Sequence, residues 1–217
     1  MPKGYPKKRA PRKIAVSLDA TMTSLPPAPE PAAKPAGLAR FSARTLLDGA
    51  VGTQLIARGL RIGLDCPEAW NLDRPDEIRR IHRAYFDAGA QAVGTNSFGG
   101  NRVSLARFGR QADVRKLNRA AALLAKEVCP PGKSVFGSIG PTGDMPPPDG
   151  NVDLSELEDA FAEQAMALDE GGVDLIHIET QYHPKEARAA IRGVRAGAPR
   201  LPIVASLTCR VAGTNYI

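Results

Sequence analysis

From residue 45 to residue 217 the chain alternates between short apolar runs suited to β-strands and longer stretches with helical spacing, through five strands. Strands separated by helix-length crossovers, without hairpin signals between them, predict an α/β fold with a parallel sheet and right-handed connections. Two architectures fit this rhythm. One is an open doubly wound sheet; the other is the beginning of an eight-stranded (β/α)8 barrel of the TIM type. The spacing alone does not choose between them.

The segments can be placed from local chemistry. Thr45-Leu46-Leu47 reads as the first strand. Pro75 at a first helical turn, with Asp76 and Glu77 complementing the helix dipole, opens a helix to about Ala88. Its apolar face is Ile78, Ile81, Tyr85 and Ala88, and Gly89 closes it. Gln91–Thr95 is the second strand. Val114, Leu117, Ala121, Leu124 and Val128 mark the next helix, stopped by Pro130-Pro131. Ser134–Ile139 is the third strand. Asp153 and Glu156 stand at capping-box spacing before Leu157, Phe161, Ala165 and Leu168. Val173–Ile178 is the fourth strand. Ala187, Ala190, Ile191 and Val194 mark a further helix, and Leu201–Leu207 is the fifth strand.

Charge divides the chain in two. The net charge is +6, yet residues 1–44 hold nine Lys or Arg against Asp19 and Glu30, leaving 20 basic and 21 acidic residues in 45–217. Residues 1–44 also hold eight of the 19 prolines, so they are expected to be a disordered, basic, Pro-rich tail beside one domain at 45–217. The body is neutral and carries no nucleic-acid motif, so no nucleic-acid partner is expected. No apolar run approaches 18 residues, so no membrane span is expected. Cys66, Cys129 and Cys209 are scattered, form no disulfide framework and suit a reducing, cytoplasmic location.

Ligand sites of parallel α/β folds form at the carboxyl ends of the strands. Here those ends are polar and glycine-rich: Asp48-Gly49-Ala50-Val51-Gly52-Thr53, then Thr95-Asn96-Ser97-Phe98-Gly99-Gly100-Asn101, then Gly140-Pro141-Thr142-Gly143, then Glu179-Thr180. Plainer readings exist for most of them. Asp48-Gly49 is common turn chemistry, and Asn96 and Ser97 suit loop capping. Glu179 is harder to treat so. A carboxylate directly after Leu175-Ile176-His177-Ile178 needs a partner to offset desolvation, and a ligand ammonium would supply one. Strand alternation puts Leu175, His177 and Glu179 on one face, where His177 either tunes Glu179 or is a core histidine with one partner. His82 and His183 read as helix-surface and loop residues.

Four segments together resemble the homocysteine S-methyltransferase family: LLDGAVGTQL (46–55), PEAWNLDRPDEIRRIHRAYFDAGAQAVGTNSFGGNR (67–102), GSIGPTG (137–143) and GGVDLIHIET (171–180). The resemblance implies a (β/α)8 barrel that transfers a methyl group to the sulfur of homocysteine, giving methionine, with a thiolate-bound zinc that favours the substrate thiolate. It implies substrate contacts from Asp48, Gly49, Asn96, Ser97, Phe98 and Glu179, with Glu179 on the amino group. The implied partners are homocysteine and a methyl donor, with a corrinoid protein as one candidate source; no catalytic nucleophile is assigned within the chain.

The sequence departs from the family pattern in two places. The family's zinc ligands are one cysteine in an Asn-Cys context after strand six and an adjacent pair after strand eight. Cys66, Cys129 and Cys209 occupy none of these positions, and Cys129 reads as an idle or packed thiol. From Cys209 to Ile217 the sequence also leaves the family's continuation. Residues 45–217 supply about five βα units, whereas a full barrel takes roughly 250 residues. The expectation is a C-terminally incomplete barrel with open strand edges, marginally stable, homo-oligomeric or partner-dependent, and without zinc-dependent turnover. The alternative is a non-catalytic α/β fragment that binds a small ligand or complements another chain.

Overall fold

The structure, a computed structural model, describes residues 44–209 and the backbone of 211–212 and 215–216. The expected tail, 1–44, lies outside the described residues except for Arg44.

Seven helices and six strands follow one another in the described chain. They are α1 (Val51–Ala57), α2 (Trp70–Asp73), α3 (Pro75–Asp87), β1 (Ala92–Gly94), α4 (Arg102–Ala106), α5 (Val114–Glu127), β2 (Ser134–Ile139), α6 (Leu154–Glu170), β3 (Leu175–Gln181), α7 (Pro184–Gly197), β4 (Ile203–Leu207), β5 (Val211–Ala212) and β6 (Asn215–Tyr216). A 3-10 turn, Pro67–Ala69, leads into α2, and another, Gln111–Asp113, leads into α5.

The sheet settles the architecture left open by the sequence. Strands β1 to β4 are parallel and lie in consecutive order, β1-β2-β3-β4. A doubly wound sheet reverses its order at a switch point, whereas right-handed crossovers between consecutive neighbours put every helix on one side. That is the arc of a (β/α) barrel. On the helix side Val93, Val135, Ile139, Ile176 and Ile178 pack with Phe86, Leu157, Phe161, Leu168, Ala190 and Val194 into the main core. On the inner side Ala92, Phe136 and Leu175 form a small apolar layer, and Ser138, His177 and Glu179 stand above it. The arc is not closed among the described residues: Val204 and Leu207 of β4 remain exposed.

Several local expectations are corrected. The first strand shrinks to a single parallel bridge, Leu47 to Ala92. The ladder stops there because the Gln91 side chain accepts from Leu46 N at 2.8 Å, and the Gly49–Gly52 stretch turns at once into α1. The capping box at Asp153 and Glu156 does not form; both residues are exposed, where water solvates the carboxylates equally well. The absence of hairpins is also overturned, since β5 pairs antiparallel with β6. His82 is fully buried inside α3, with no hydrogen-bond partner for either ring nitrogen among the described residues. It stands four residues from both Ile78 and Phe86, so it shares their buried face. His183 does sit in a loop, at the N-cap of α7, where Nδ1 accepts from Glu186 N at 3.4 Å.

Helices α6 and α7 meet backbone to backbone. A Cβ on Gly193 would lie 2.2 Å from Glu158 O, and one on Gly197 would lie 2.1 Å from Ala162 O. Glycine inside a helix costs about 1 kcal/mol relative to alanine, so these positions trade helix propensity for close approach. Among the described residues no helix is long and apolar enough to cross a membrane.

Candidate functional site

The inner face of the arc opens at the carboxyl ends of its strands into a cavity of about 550 Å³. Leu47, Asp48 and Gly49 enter from the first bridge, Gly94 to Phe98 from the end of β1, Phe136 and Ser138 from β2, and His177 and Glu179 from β3. The 3-10 turn adds Pro67 and Glu68.

Asp48 is held by backbone. Its own N–H donates to Ala92 O at 3.1 Å, and its Oδ2 accepts from Gly94 N at 3.0 Å. Burial pushes its pKa up to about 7; the Gly94 hydrogen bond opposes the rise and the negative charge of Glu179 adds to it. Below about pH 7 the carboxyl therefore favours a proton, and a neighbouring cation would favour its release.

Glu179 is placed by a distortion of β3. The register slips between Ile178 and Gln181, and Thr180, a β-branched residue, takes φ +59°. Such a bulge redirects the neighbouring side chain, and left-handed backbone at a threonine is strained. The Ser138 hydroxyl then donates to Glu179 Oε1 at 2.5 Å. Glu179 is half-buried, so its desolvation is partial, and Ser138 supplies the partner that the sequence argument required.

The other expected residues divide by role. Gly49 lines the cavity under Tyr85, whose hydroxyl donates to Ala50 O at 3.3 Å. Phe98, 42% exposed, stands at the cavity wall, and Gly140 lets it approach: a Cβ there would lie 2.5 Å from the ring. Asn96 and Ser97 line the cavity, but their side-chain donors already have protein partners. Asn96 Nδ2 donates to Pro67 O at 2.8 Å and to Asn71 Oδ1 at 3.1 Å. Ser97 Oγ donates to Ser138 O at 2.7 Å and lies 2.5 Å from Thr95 Oγ1. These two residues tie strands and loops together across the site.

His177 faces the cavity from the same side of β3 as Glu179, and its Nε2 lies 2.8 Å from Ser206 Oγ of β4. It has the single partner of a satisfied histidine, but it is only half-buried. Glu68 and Ser138 were missed by the sequence reading. Ser138 was accessible to it, because alternation along 134–139 puts Phe136 and Ser138 together. Glu68 gave no such signal.

The three cysteines lie apart. Cys66 is buried and donates to Glu68 Oε2 at 3.5 Å, and burial pushes its thiol up to about 11. Burial also raises the Cys129 thiol, which faces Pro130 O at 3.7 Å, while Cys209 is exposed. Among the described residues no three His, Cys, Asp or Glu side chains gather as a metal ligand set. A zinc thiolate site needs converging, easily deprotonated sulfurs, and these residues do not fit one.

A parallel arc with one-sided helices and a carboxyl-lined cavity at its strand ends defines a barrel-type α/β domain. The chain belongs to the homocysteine S-methyltransferase family, whose profile matches residues 45–216. It is 37% identical to the methionine synthase of Mycobacterium tuberculosis (strain ATCC 25618 / H37Rv), over 78% of this chain and 15% of that protein. The Mycobacterium leprae (strain TN) methionine synthase is 34% identical, with the same coverage of 78% and 15%. Among solved structures, the oxidised form of the homocysteine methyltransferase MmuM from Escherichia coli superposes with a TM-score of 0.64 at 27% identity, over 76% of this chain and 62% of that one. Its metallated form gives a TM-score of 0.63 at 27% identity, over 76% and 64%. The chain thus spans less than two thirds of the length of each of these relatives.

Proposed function

We propose that this chain binds homocysteine and serves methyl transfer to its sulfur, giving methionine. The observation that carries the reading is the acidic lining of the cavity: Asp48, Glu68 and Glu179 line it, and among the described residues no Lys or Arg does. Such a lining favours an ammonium group. Asp48 and Glu179 take the homocysteine amino group, with Ser138 orienting Glu179, while Leu55, Phe98 and Phe136 pack along the methylenes. In the transfer the sulfur forms a bond to the methyl carbon, the bond from that carbon to its donor breaks with the electron pair leaving on the donor, and the thiol proton passes to solvent. The residues described contribute binding and orientation to this step. By family, zinc activates the sulfur, but the described cysteines do not supply its ligands, and no step is assigned to it.

The likeness to methionine synthases supports a methylated corrinoid as donor, presented by a further module or protein; betaine and S-methylmethionine suit the same acidic cavity. Unpaired cysteines suit a cytoplasmic setting. Residues 1–44 are dispensable for binding in this reading, and a chain lacking them should bind homocysteine unchanged.

The test is calorimetric titration of homocysteine into the chain and into Asp48→Asn and Glu179→Gln. Binding that both substitutions weaken supports the reading; binding indifferent to both sinks it. A second reading is favoured by the uncovered β4: a ligand-binding arc without turnover of its own, completed by βα units from another chain or a second copy. Light scattering with and without such a partner separates the two, because a monomer that melts cooperatively and forms methionine excludes the second.

A further inference from the structure

We infer that Glu68 is a positioning residue of the homocysteine cavity, fixing the loop that follows β1 through the backbone of Gly99. The inference rests on the binding role proposed above and adds a residue to it.

Glu68 lies in the 3-10 turn Pro67–Ala69, only 4% exposed, and is one of the residues lining the cavity. Its Oε1 accepts from Gly99 N at 2.7 Å. Gly99 suits this approach because a Cβ there would already sit 3.0 Å from Glu68 Oε1. The neighbours of both residues close the same clasp. Asn96 Nδ2 donates to Pro67 O at 2.8 Å, and Asn71 Nδ2 donates to Asn96 O at 2.8 Å. The segment 67–71 thus grips the loop 96–99 at several points, of which Glu68 is the one nearest Phe98.

Phe98 is where the grip reaches the cavity. Its carbonyl accepts from Gly140 N at 2.9 Å, and its ring lies where a Cβ on Gly140 would stand. Releasing Gly99 frees the residue next to Phe98, so the ring loses its fixed position against Gly140. The clasp needs an acceptor at Oε1, not a charge. Among the described residues Glu68 has N–H and thiol donors as hydrogen-bond partners, and burial holds its carboxyl above the usual carboxylate range. Glutamine can therefore replace it, whereas alanine cannot.

The experiment compares Glu68→Gln, Glu68→Ala and Cys66→Ala in the full chain, reading homocysteine affinity by calorimetry and exchange of the Gly99 amide by NMR. Loss of one anchoring hydrogen bond predicts about tenfold weaker binding and faster Gly99 exchange in Glu68→Ala. Glu68→Gln should restore both, and Cys66→Ala should leave both unchanged. Unaltered affinity and exchange in Glu68→Ala would overturn the inference, as would a Gln variant as impaired as the Ala variant. Should the unsubstituted chain bind no homocysteine, the binding role fails, and Gly99 exchange in the three variants still decides whether Glu68 holds the loop.

Discussion

The Ser138 hydroxyl donates to Glu179 Oε1 at 2.5 Å, from β2 to its neighbour β3. Ser138 is itself fixed on both sides of its backbone: its N–H donates to Thr95 Oγ1 at 3.0 Å, and its carbonyl accepts from Ser97 Oγ at 2.7 Å. The carboxylate is oriented before any ligand arrives. Ser138→Ala should weaken homocysteine binding about tenfold and lower the melting temperature by several degrees, because a hydrogen bond to a charged group is worth about 1.5–3 kcal/mol in the free fold as well. Calorimetry and thermal melts on the same sample check this. Unchanged affinity would mean that Glu179 does not need this partner.

Asp48 gives a pH signature with a definite sign. Its carboxyl is raised from 3.8 to about 7 in the fold, so between these values the unfolded chain releases a proton that the folded chain keeps. Ionisation then favours unfolding, and the contribution of Asp48 to stability falls as pH rises through this window. Asp48→Asn keeps an oxygen for Gly94 N–H and removes the ionisation. It should raise stability at pH 8, by up to about 4 kcal/mol, and change little at pH 3.5. Denaturant melts at the two pH values are the measurement.

The same residue predicts proton-linked binding. An ammonium beside Asp48 favours the carboxylate, so homocysteine should release a proton on binding below pH 7 and bind more tightly as pH rises towards 8. Titrations in buffers of different ionisation enthalpy count that proton. Asp48→Asn should abolish its release.

His82 acts in the opposite direction on the acid side. Burial lowers its pKa from 6.5 to about 4, so the unfolded chain takes up a proton before the folded one does. Stability should fall as pH drops from 6.5 to about 4, by about 3 kcal/mol from this residue. His82→Leu should flatten that part of the curve, which equilibrium unfolding at pH 7, 5.5 and 4.5 would reveal.

The contact between α6 and α7 tests the packing. Alanine normally favours a helix over glycine by about 1 kcal/mol. At Gly193 the new methyl would meet Glu158 O at 2.2 Å and Phe161 Cβ at 2.9 Å. Overpacking of this kind costs about 1–3 kcal/mol, so Gly193→Ala should lower the melting temperature despite its better helix propensity. A stabilised variant would show that the two helices can separate without penalty.

What could be read in the sequence was the local part. Pro75, Gly89 and the spacing of Ile78 and Ile81 marked α3 within a residue, and strand alternation put His177 and Glu179 on one face. Asp48, Gly49, Phe98 and Glu179 lie at strand ends, which converge in any parallel fold, and the family resemblance singled them out as substrate contacts; all four line the cavity. The pieces that escaped depend on distant partners. Leu46 and Leu47 look like a strand, but the length of their ladder is set by Gln91 and by β1, which is only three residues long. Asn96 and Ser97 read as loop caps from local chemistry and as substrate contacts from the resemblance, yet their side chains reach Pro67, Asn71 and Ser138. Glu68 meets Gly99 across 31 positions, and no local pattern announces such a pairing. His82 was legible after all: its spacing from Ile78 puts it on the buried face, and only its polarity argued otherwise.

The consecutive strand order has a consequence for how the molecule is made. Each strand of β1-β2-β3-β4 pairs with the one completed just before it, so every new βα unit finds its docking edge already synthesised. Nothing waits for a later segment to be threaded between earlier ones. A chain leaving the ribosome can therefore add units one at a time, each burying its helix against the last, and assembly runs in the direction of translation.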